Sequence, residues 1–308
     1  MPDSPISATP YEILGVPPTA TPDELRQAHR RALRDSHPDT GGSATQFHSV
    51  QHAWELIGTP AARAIYDRGS GRGGATTSFE ARPASPQRES RPQARAYGHP
   101  GGWHRERYLQ LMREWVGRGA PLDNPYDPTL VRSAPREIRH LLAAAIAEEE
   151  SARALAELGI AFTVWHDVAT DAATGVDAGK LDHIVLGPTG LFAILSEDWG
   201  GAVRVKRGEL VGEAIPSGDR PVNALSLRTR SIARATKVRF TGIVIVVPDD
   251  ATPDGISEIG RIRGLPSLLV QRSRLQSLLR NGIDNDDPVG GNELFDARTR
   301  LQSTLRFV

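Results

Sequence analysis

Two groups of residues in this 308-residue sequence have types and spacings that could do chemistry. The first is Arg26, Arg30 and Arg34, spaced four apart and running into His37-Pro38-Asp39-Thr40-Gly41-Gly42. At about 100° per residue the arginines make one basic stripe, with Leu25, Ala28 and Ala32 on the opposite side. Pro38 stops the helix at His37, the paired glycines allow a sharp reversal, and Asp39 is left at the tip beside the basic face. Taken alone, that is a turn and a solvated surface. The second group is Asp182, Glu197 and Asp198, with Lys180 and Lys206 in neighbouring segments. Carboxylates on adjacent strands can hold a divalent cation, and a lysine beside them can orient water or balance developing charge. Taken alone, Asp182, Glu197 and Asp198 are solvated turns, His183 is a satisfied strand-edge histidine, and His166 and Asp167 need no special role.

The elements that must position the first group are legible as helices. Thr9-Pro10-Tyr11-Glu12 and Thr21-Pro22-Asp23-Glu24 each read as an N-cap threonine, a first-turn proline and a capping-box glutamate, and Thr59-Pro60 repeats the first two. Gly15 closes the first helix, and the second runs from about Pro22 to Ser36. Phe47, Val50, Trp54 and Ile57 give a third helix an apolar face for the second, which predicts an antiparallel pair. Residues 69–102 are rich in Gly, Pro, Ser and Arg with few apolar residues, so they read as a disordered linker.

Beyond it, helices are predicted from Trp103 to Val116 and from about Pro135, then strands at Phe162–Val168, His183–Leu186 and Leu191–Leu195. The last two join through Gly187-Pro188-Thr189-Gly190, a strong hairpin turn, and a second hairpin is expected around Arg207-Gly208. A helix near Asn223–Ala235, the continuous apolar strand Gly242–Val247, and a last short helix capped by Ser273 and ending at Arg280 complete the pattern. The apolar run implies a strand buried on both faces and hence an α/β core. The expected organisation is therefore multidomain. An all-α helical hairpin occupies 1–68, the linker 69–102, and a helical lead-in with an α/β domain 103–308.

Composition narrows the function. The 37 basic and 37 acidic side chains cancel, so no net field draws the whole chain onto nucleic acid or membrane. The absence of cysteine excludes disulfides and thiolate zinc sites. Met1 to Pro10 contains no basic segment followed by an apolar run, and the helix around Leu141–Leu158 is broken by Glu148, Glu149, Glu150 and Arg153. Cytoplasmic residence without a membrane span is the expectation.

Tyr11-Glu12-Ile13-Leu14-Gly15-Val16, Glu24-Leu25, Ala28, His37-Pro38-Asp39 and Ala61-Ala62-Arg63-Ala64-Ile65-Tyr66-Asp67 resemble a J domain, in order and spacing, over about a fifth of the chain. That resemblance implies that the basic second helix docks on an acidic surface of a DnaK-type chaperone. It also implies that the His-Pro-Asp tripeptide triggers the partner's ATP hydrolysis. The roles fall to Arg26, Arg30, Arg34, His37, Pro38 and Asp39. His29 stands where the family usually has tyrosine, and Thr40 where a basic residue often follows the tripeptide. Both departures weaken the electrostatic face.

Leu181-Asp182-His183-Ile184-Val185-Leu186-Gly187-Pro188-Thr189-Gly190-Leu191-Phe192-Ala193-Ile194 resembles the nuclease-related domain, a branch of the PD-(D/E)XK restriction-endonuclease-like fold. The resemblance aligns Glu148 with an early helical glutamate and Asp182 with a metal-binding acid. Its Glu-x-Lys falls on Leu195-Ser196-Glu197, so the second acid has become leucine and the lysine an acid. Glu148, Asp182, Leu195 and Glu197 then form a degenerate nuclease site without metal, and Lys180 and Lys206 are the available substitutes for the lost lysine. The expectation is a co-chaperone that is not itself an enzyme and needs no cofactor, with an inactive nuclease-like arm for an unknown client. The alternatives are a metal-dependent nuclease and a nucleic-acid-binding adaptor using Arg228, Arg230, Arg234, Lys237 and Arg239.

Overall fold

Threonine caps set the helices of the N-terminal unit. The structure, a computed structural model, describes residues 4–36, 44–70, 79, 92–117, 121–171, 179–283 and 290–308. Two units divide the chain: Met1–Phe79 with Tyr126–Ser133, and Glu80–Pro125 with Ala134–Val308. In the first unit the Thr9 hydroxyl accepts from the Glu12 N–H that opens α1 (Pro10–Leu14), and the Glu12 carboxylate accepts from the Thr9 N–H. Gly15 ends the helix in the left-handed region at φ 68°, where a Cβ would be strained. Thr21 and Glu24 make the same reciprocal bonds at the start of α2 (Pro22–Ser36). Thr59 caps α4 (Pro60–Ser70), which follows α3 (Ala44–Ile57). Each such cap contributes about 1 kcal/mol.

The core of this unit joins Tyr11 and Leu14 of α1, Leu25 of α2, and Val50, Ala53 and Ile57 of α3. Arg63 of α4 ties the ends together: its guanidinium donates to the Tyr11 hydroxyl at 3.0 Å and to the carbonyls of Ala20 and Pro18 at 2.6 Å each. The Tyr11 hydroxyl in turn donates to Asp67 at 2.8 Å. The sequence assigned 126–133 to the C-terminal module. After α5 (Gly102–Val116), however, the short helix α6 (Pro128–Ser133) belongs to the first unit, where Arg132 pairs with Glu12 at 3.1 Å.

The second unit is a seven-stranded mixed sheet between helices. After α7 (Arg136–Ala156) come β2 (Thr163–Ala169), β3 (Lys180–Gly187) and β4 (Gly190–Ser196), which form an antiparallel meander. The two-residue turn Pro188-Thr189 sets the β3–β4 register by pairing Gly187 with Gly190. A small separate hairpin, β5 (Arg204–Lys206) and β6 (Glu209–Val211), turns on Arg207 and Gly208, both at positive φ, as the sequence suggested. Then α8 (Pro221–Thr236) crosses to β7 (Gly242–Val247), buried along its whole length and parallel to β4. Next, β8 (Ile256–Ile262) and β9 (Leu265–Gln271) add a hairpin, followed by a 3-10 turn at Arg272–Arg274, α9 (Leu275–Asn281) and α10 (Gly291–Thr304). With β1 (Arg95–Tyr97) parallel to β2, the order is β1-β2-β3-β4-β7-β9-β8.

Each face of the sheet has its own apolar layer. Val222, Leu225 and Ile232 of α8 and Leu301 of α10 cover one face, against Leu181, Ile184, Leu191, Ala193, Leu195, Ile243 and Ile245. Leu155 of α7 and Leu275, Leu278 and Leu279 of α9 cover the other, against Val185, Phe192, Ile194, Val244 and Val246.

Five features depart from the sequence reading. The end of the expected linker is structural: β1 lies at 95–97, and α5 opens at Gly102. Hairpin β8–β9 and helix α10 were not anticipated. Ser273 does not cap α9, whose N-cap is Arg274; its backbone N–H donates instead to Asp249 at 3.0 Å. The five basic residues of the adaptor alternative do not share one surface, because Arg228 is buried at 3% exposure while Arg234, Lys237 and Arg239 are exposed.

Candidate functional site

On α2, the arginines stand where their spacing put them. Arg26, Arg30 and Arg34 are all exposed, and Arg26 is ion-paired with Asp23 one turn back. Leu25 is buried on the opposite side. His29 is half-buried and stacks flat on Trp54 of α3, with ring centroids 4.1 Å apart and planes 2° apart. Burial holds its pKa below the ordinary histidine value. This ring therefore serves as a packing replacement between the two helices. His37, Pro38 and Asp39 lie outside the described residues.

The second unit holds a group that the sequence only half revealed. The Lys180 side chain is 1% exposed, and its Nζ donates to Glu148 Oε1 at 2.7 Å, Glu148 Oε2 at 2.8 Å, Asp167 Oδ1 at 2.6 Å and Asp182 Oδ1 at 3.0 Å. Glu148 comes from α7, Asp167 from β2, and Asp182 from β3. A local break in strand alternation aims these acids. Asp167 has φ 50°, so Trp165 and Val168 both join the α8 layer while the Asp167 carboxylate turns to the N-terminus of α5. Aspartate tolerates this conformation better than most residues. On β3, Leu181 and Ile184 likewise both face the α8 layer, and Asp182 reaches Lys180 between them.

Each carboxylate is also held from behind. Glu148 accepts from the Gly101 N–H at 3.1 Å and meets His104 Nδ1 at 2.5 Å. Asp167 Oδ2 accepts from the Trp103 N–H at 3.3 Å, and Asp182 Oδ2 from the Ser196 N–H at 2.8 Å. Gly101 and Trp103 bring the positive end of the α5 dipole to two of the acids. Gly101 allows this approach: it sits at φ 74°, and a Cβ there would lie 2.7 Å from the Ala145 carbonyl. Glycines that looked like linker are thus the wall of the cage.

The charges follow from burial. Desolvation alone would lower the Lys180 pKa, but attraction to Asp182, Glu148 and Asp167 outweighs it and holds the amine far above its ordinary value. Burial raises Asp167 and Asp182 against the pull of Lys180. Lys180 is an ammonium; it is no nucleophile and no base.

The residues expected to form a degenerate nuclease site are distributed differently from that expectation. Leu195 packs in the α8 layer, away from the cage. Ile194 and Ser196 are the β4 residues on the cage side, and the Ser196 hydroxyl bonds the Ser151 hydroxyl of α7 at 2.8 Å. Glu197 is buried and faces His140 of α7 at 3.3 Å. Lys206 lies exposed on β5. Among the described residues, no group of three or more histidines, cysteines or acids is arranged to hold a metal ion. No helix among them is long and apolar enough to cross a membrane.

Beside the cage, His166 and His183 meet Nδ1 to Nδ1 at 2.7 Å. Burial pushes His166 down to about 4, with Asp167 opposing, and pushes His183 well below its ordinary value, helped by His166 and Lys180. Unfolded, both rings take up protons near pH 6.5; folded, His166 resists until about pH 4. Their contribution to stability is present above pH 6.5 and is lost as pH falls toward 4, by up to ~1.4 kcal/mol per unit per ring. Asp167 and Asp182 hold protons in the folded state above the usual carboxylate range, which opposes this loss at the acid end. Urea midpoints between pH 7 and 4 should therefore fall less in His166→Asn/His183→Asn than in the wild type, and equal slopes would clear the pair of this role.

Residues 9–67 match the family model described as the DnaJ domain. Residues 9–67 are a J domain. The matching relatives include "DnaJ protein homolog ANJ1" of Atriplex nummularia, 45% identical over 58 residues, or 19% of this chain and 14% of the relative. "Chaperone protein DnaJ" of Leifsonia xyli subsp. xyli is 46% identical over 66 residues, 20% of this chain and 18% of the relative. "Chaperone protein DnaJ 1" of Cutibacterium acnes is 46% identical over 61 residues, 19% of this chain and 16% of the relative. The chain thus covers less than a fifth of the length of these relatives. The exposed arginine stripe of α2 and the Arg63–Tyr11–Asp67 clasp both lie within this J domain.

Proposed function

We propose that this chain is a J-domain co-chaperone that binds a DnaK-type chaperone and stimulates its ATPase. The match of residues 9–67 to the DnaJ domain carries the reading, and the exposed stripe Arg26, Arg30 and Arg34 supports it. A basic helix face is suited to an acidic partner surface, and ATP hydrolysis is then the partner's chemistry. His37, Pro38 and Asp39 are assigned the trigger by resemblance. The mixed α/β unit serves as a targeting or binding arm, a nuclease-like fold without nuclease chemistry. The carboxylates of α7, β2 and β3 beside a lysine support that likeness.

A metal-dependent nuclease that recruits Lys180 in place of the lost lysine is the second reading. The convergence of Glu148, Asp167 and Asp182 on Lys180 favours it, and the direct contact of Nζ with all three speaks against it. The test measures single-turnover ATP hydrolysis by a DnaK-type chaperone with and without the full chain. Stimulation of severalfold or more is expected, and its absence at saturating chain rejects the co-chaperone reading. Incubation of the same preparation with plasmid and Mn²⁺ is expected to leave the DNA intact.

A further inference from the structure

A nuclease-like unit implies a divalent cation among its carboxylates, and the residues present do not fit one. Glu148, Asp167 and Asp182 converge on a single point, which the Lys180 Nζ occupies at 2.6–3.0 Å from four of their oxygens. Magnesium requires oxygens at about 2.0–2.1 Å and calcium at about 2.3–2.6 Å around that same point. Lys180 is 1% exposed and anchored in β3, so its ammonium is held in that place.

The acids, in contrast, do resemble ligands. Backbone N–H groups of Gly101, Trp103 and Ser196 and the ring of His104 fix their orientation from behind, independently of the lysine. Outer-shell donors of this kind orient metal ligands and preserve their geometry. Three carboxylates against one ammonium also leave an excess of negative charge that a divalent ion would neutralise better.

We infer that Lys180 is a built-in cation standing in for a divalent metal, so that the wild-type chain excludes metal from this site and loss of the ammonium opens it. The idea rests on the nuclease-like reading only for the expectation of a metal; the cage itself stands on its own contacts. Replacement of a soluble ion by a captive ammonium also makes the fold's polar centre independent of metal supply.

The experiment titrates Mn²⁺ into metal-stripped full chain, with bound ion read by electron paramagnetic resonance and melting temperature by calorimetry. Wild type, Lys180→Ala, Lys180→Met and Lys180→Ala/Asp182→Asn are compared. Wild type is expected to take up no stoichiometric Mn²⁺. Lys180→Ala should bind one ion per chain at least tenfold more tightly than wild type, with a rise in melting temperature, and the double variant should lose both gains. Ca²⁺ should compete for the site. Stoichiometric binding by wild type that disappears in Asp182→Asn would overturn the inference. So would failure of both Lys180 variants to bind, whether they are folded without Mn²⁺ or remain unfolded with it. Wild-type binding without DNA cleavage would reject this inference alone. Wild-type binding with cleavage would reject the inactive-nuclease reading as well.

Discussion

Lys180→Met is expected to destabilise the C-terminal unit by about 3–5 kcal/mol, the cost of removing one partner from a buried charge cluster. Methionine keeps most of the apolar stem, so the loss is mainly that of the ammonium. Glu148, Asp167 and Asp182 would then face one another at 0–2% side-chain exposure without their counter-ion. The remaining donors, the Gly101, Trp103 and Ser196 N–H groups and His104, satisfy only part of that charge. For a unit of this size the expected fall in melting temperature is roughly 10 °C or more. Lys206→Met, at an exposed strand position, is the control and should shift stability by within about 0.5 kcal/mol. Adding Asp182→Asn to Lys180→Met should recover part of the loss, because one buried negative charge disappears with the positive one. Calorimetry on the full chain decides it. A Lys180→Met chain as stable as the Lys206→Met control would mean that the cage is not a coupled charge cluster.

Much of the architecture was legible because local chemistry and global fold agree. Capping boxes at Thr9 and Thr21, the left-handed Gly15, the Gly187–Gly190 turn and the apolar run of β7 each specify one conformation. The less legible parts are those whose pattern is set by tertiary neighbours. Edge strand β8 alternates weakly and is mostly solvent-facing, and β1 is three residues in a proline- and glycine-rich stretch, paired among the described residues only to β2. The same applies to the cage. Glu148 and Asp182 were picked out by resemblance, but Asp167 joins them only through a positive φ that no periodicity encodes. One signal was present: Lys180 is one of three lysines in the sequence and heads a strand that is otherwise apolar save for Asp182 and His183. A lysine in such a strand must find partners on its own face, and Asp182, two residues on, is the first of them. Placing the Glu-x-Lys implied by resemblance on Leu195 and Glu197 did not show that Leu195 belongs to the opposite layer, because the departures from alternation on β2 and β3 are visible only in three dimensions.

His37→Gln and Asp39→Asn are each expected to return the partner's ATP hydrolysis to its unstimulated rate, the largest functional effect expected of any substitution in this chain. By resemblance these side chains deliver the trigger, whereas Arg30 and Arg34 deliver affinity, and the two roles have different kinetic signatures. Loss of the trigger should abolish the plateau of stimulation at saturating chain while leaving melting temperature nearly unchanged, since the replacements alter neither volume nor apolar content appreciably. Arg30→Glu/Arg34→Glu should instead raise the concentration needed for half-stimulation by at least tenfold and leave the plateau within reach. Exposed charges are screened over about 8 Å at physiological salt, so added salt should move the wild-type half-point in the same direction and the arginine variant much less. The His29–Trp54 stack lies between α2 and α3 and is untouched by either pair of changes, so the helices that carry both roles should stay assembled. A His37→Gln chain that reaches the wild-type plateau would remove the tripeptide from the mechanism. A charge-reversed chain with an unchanged half-point would remove the basic face.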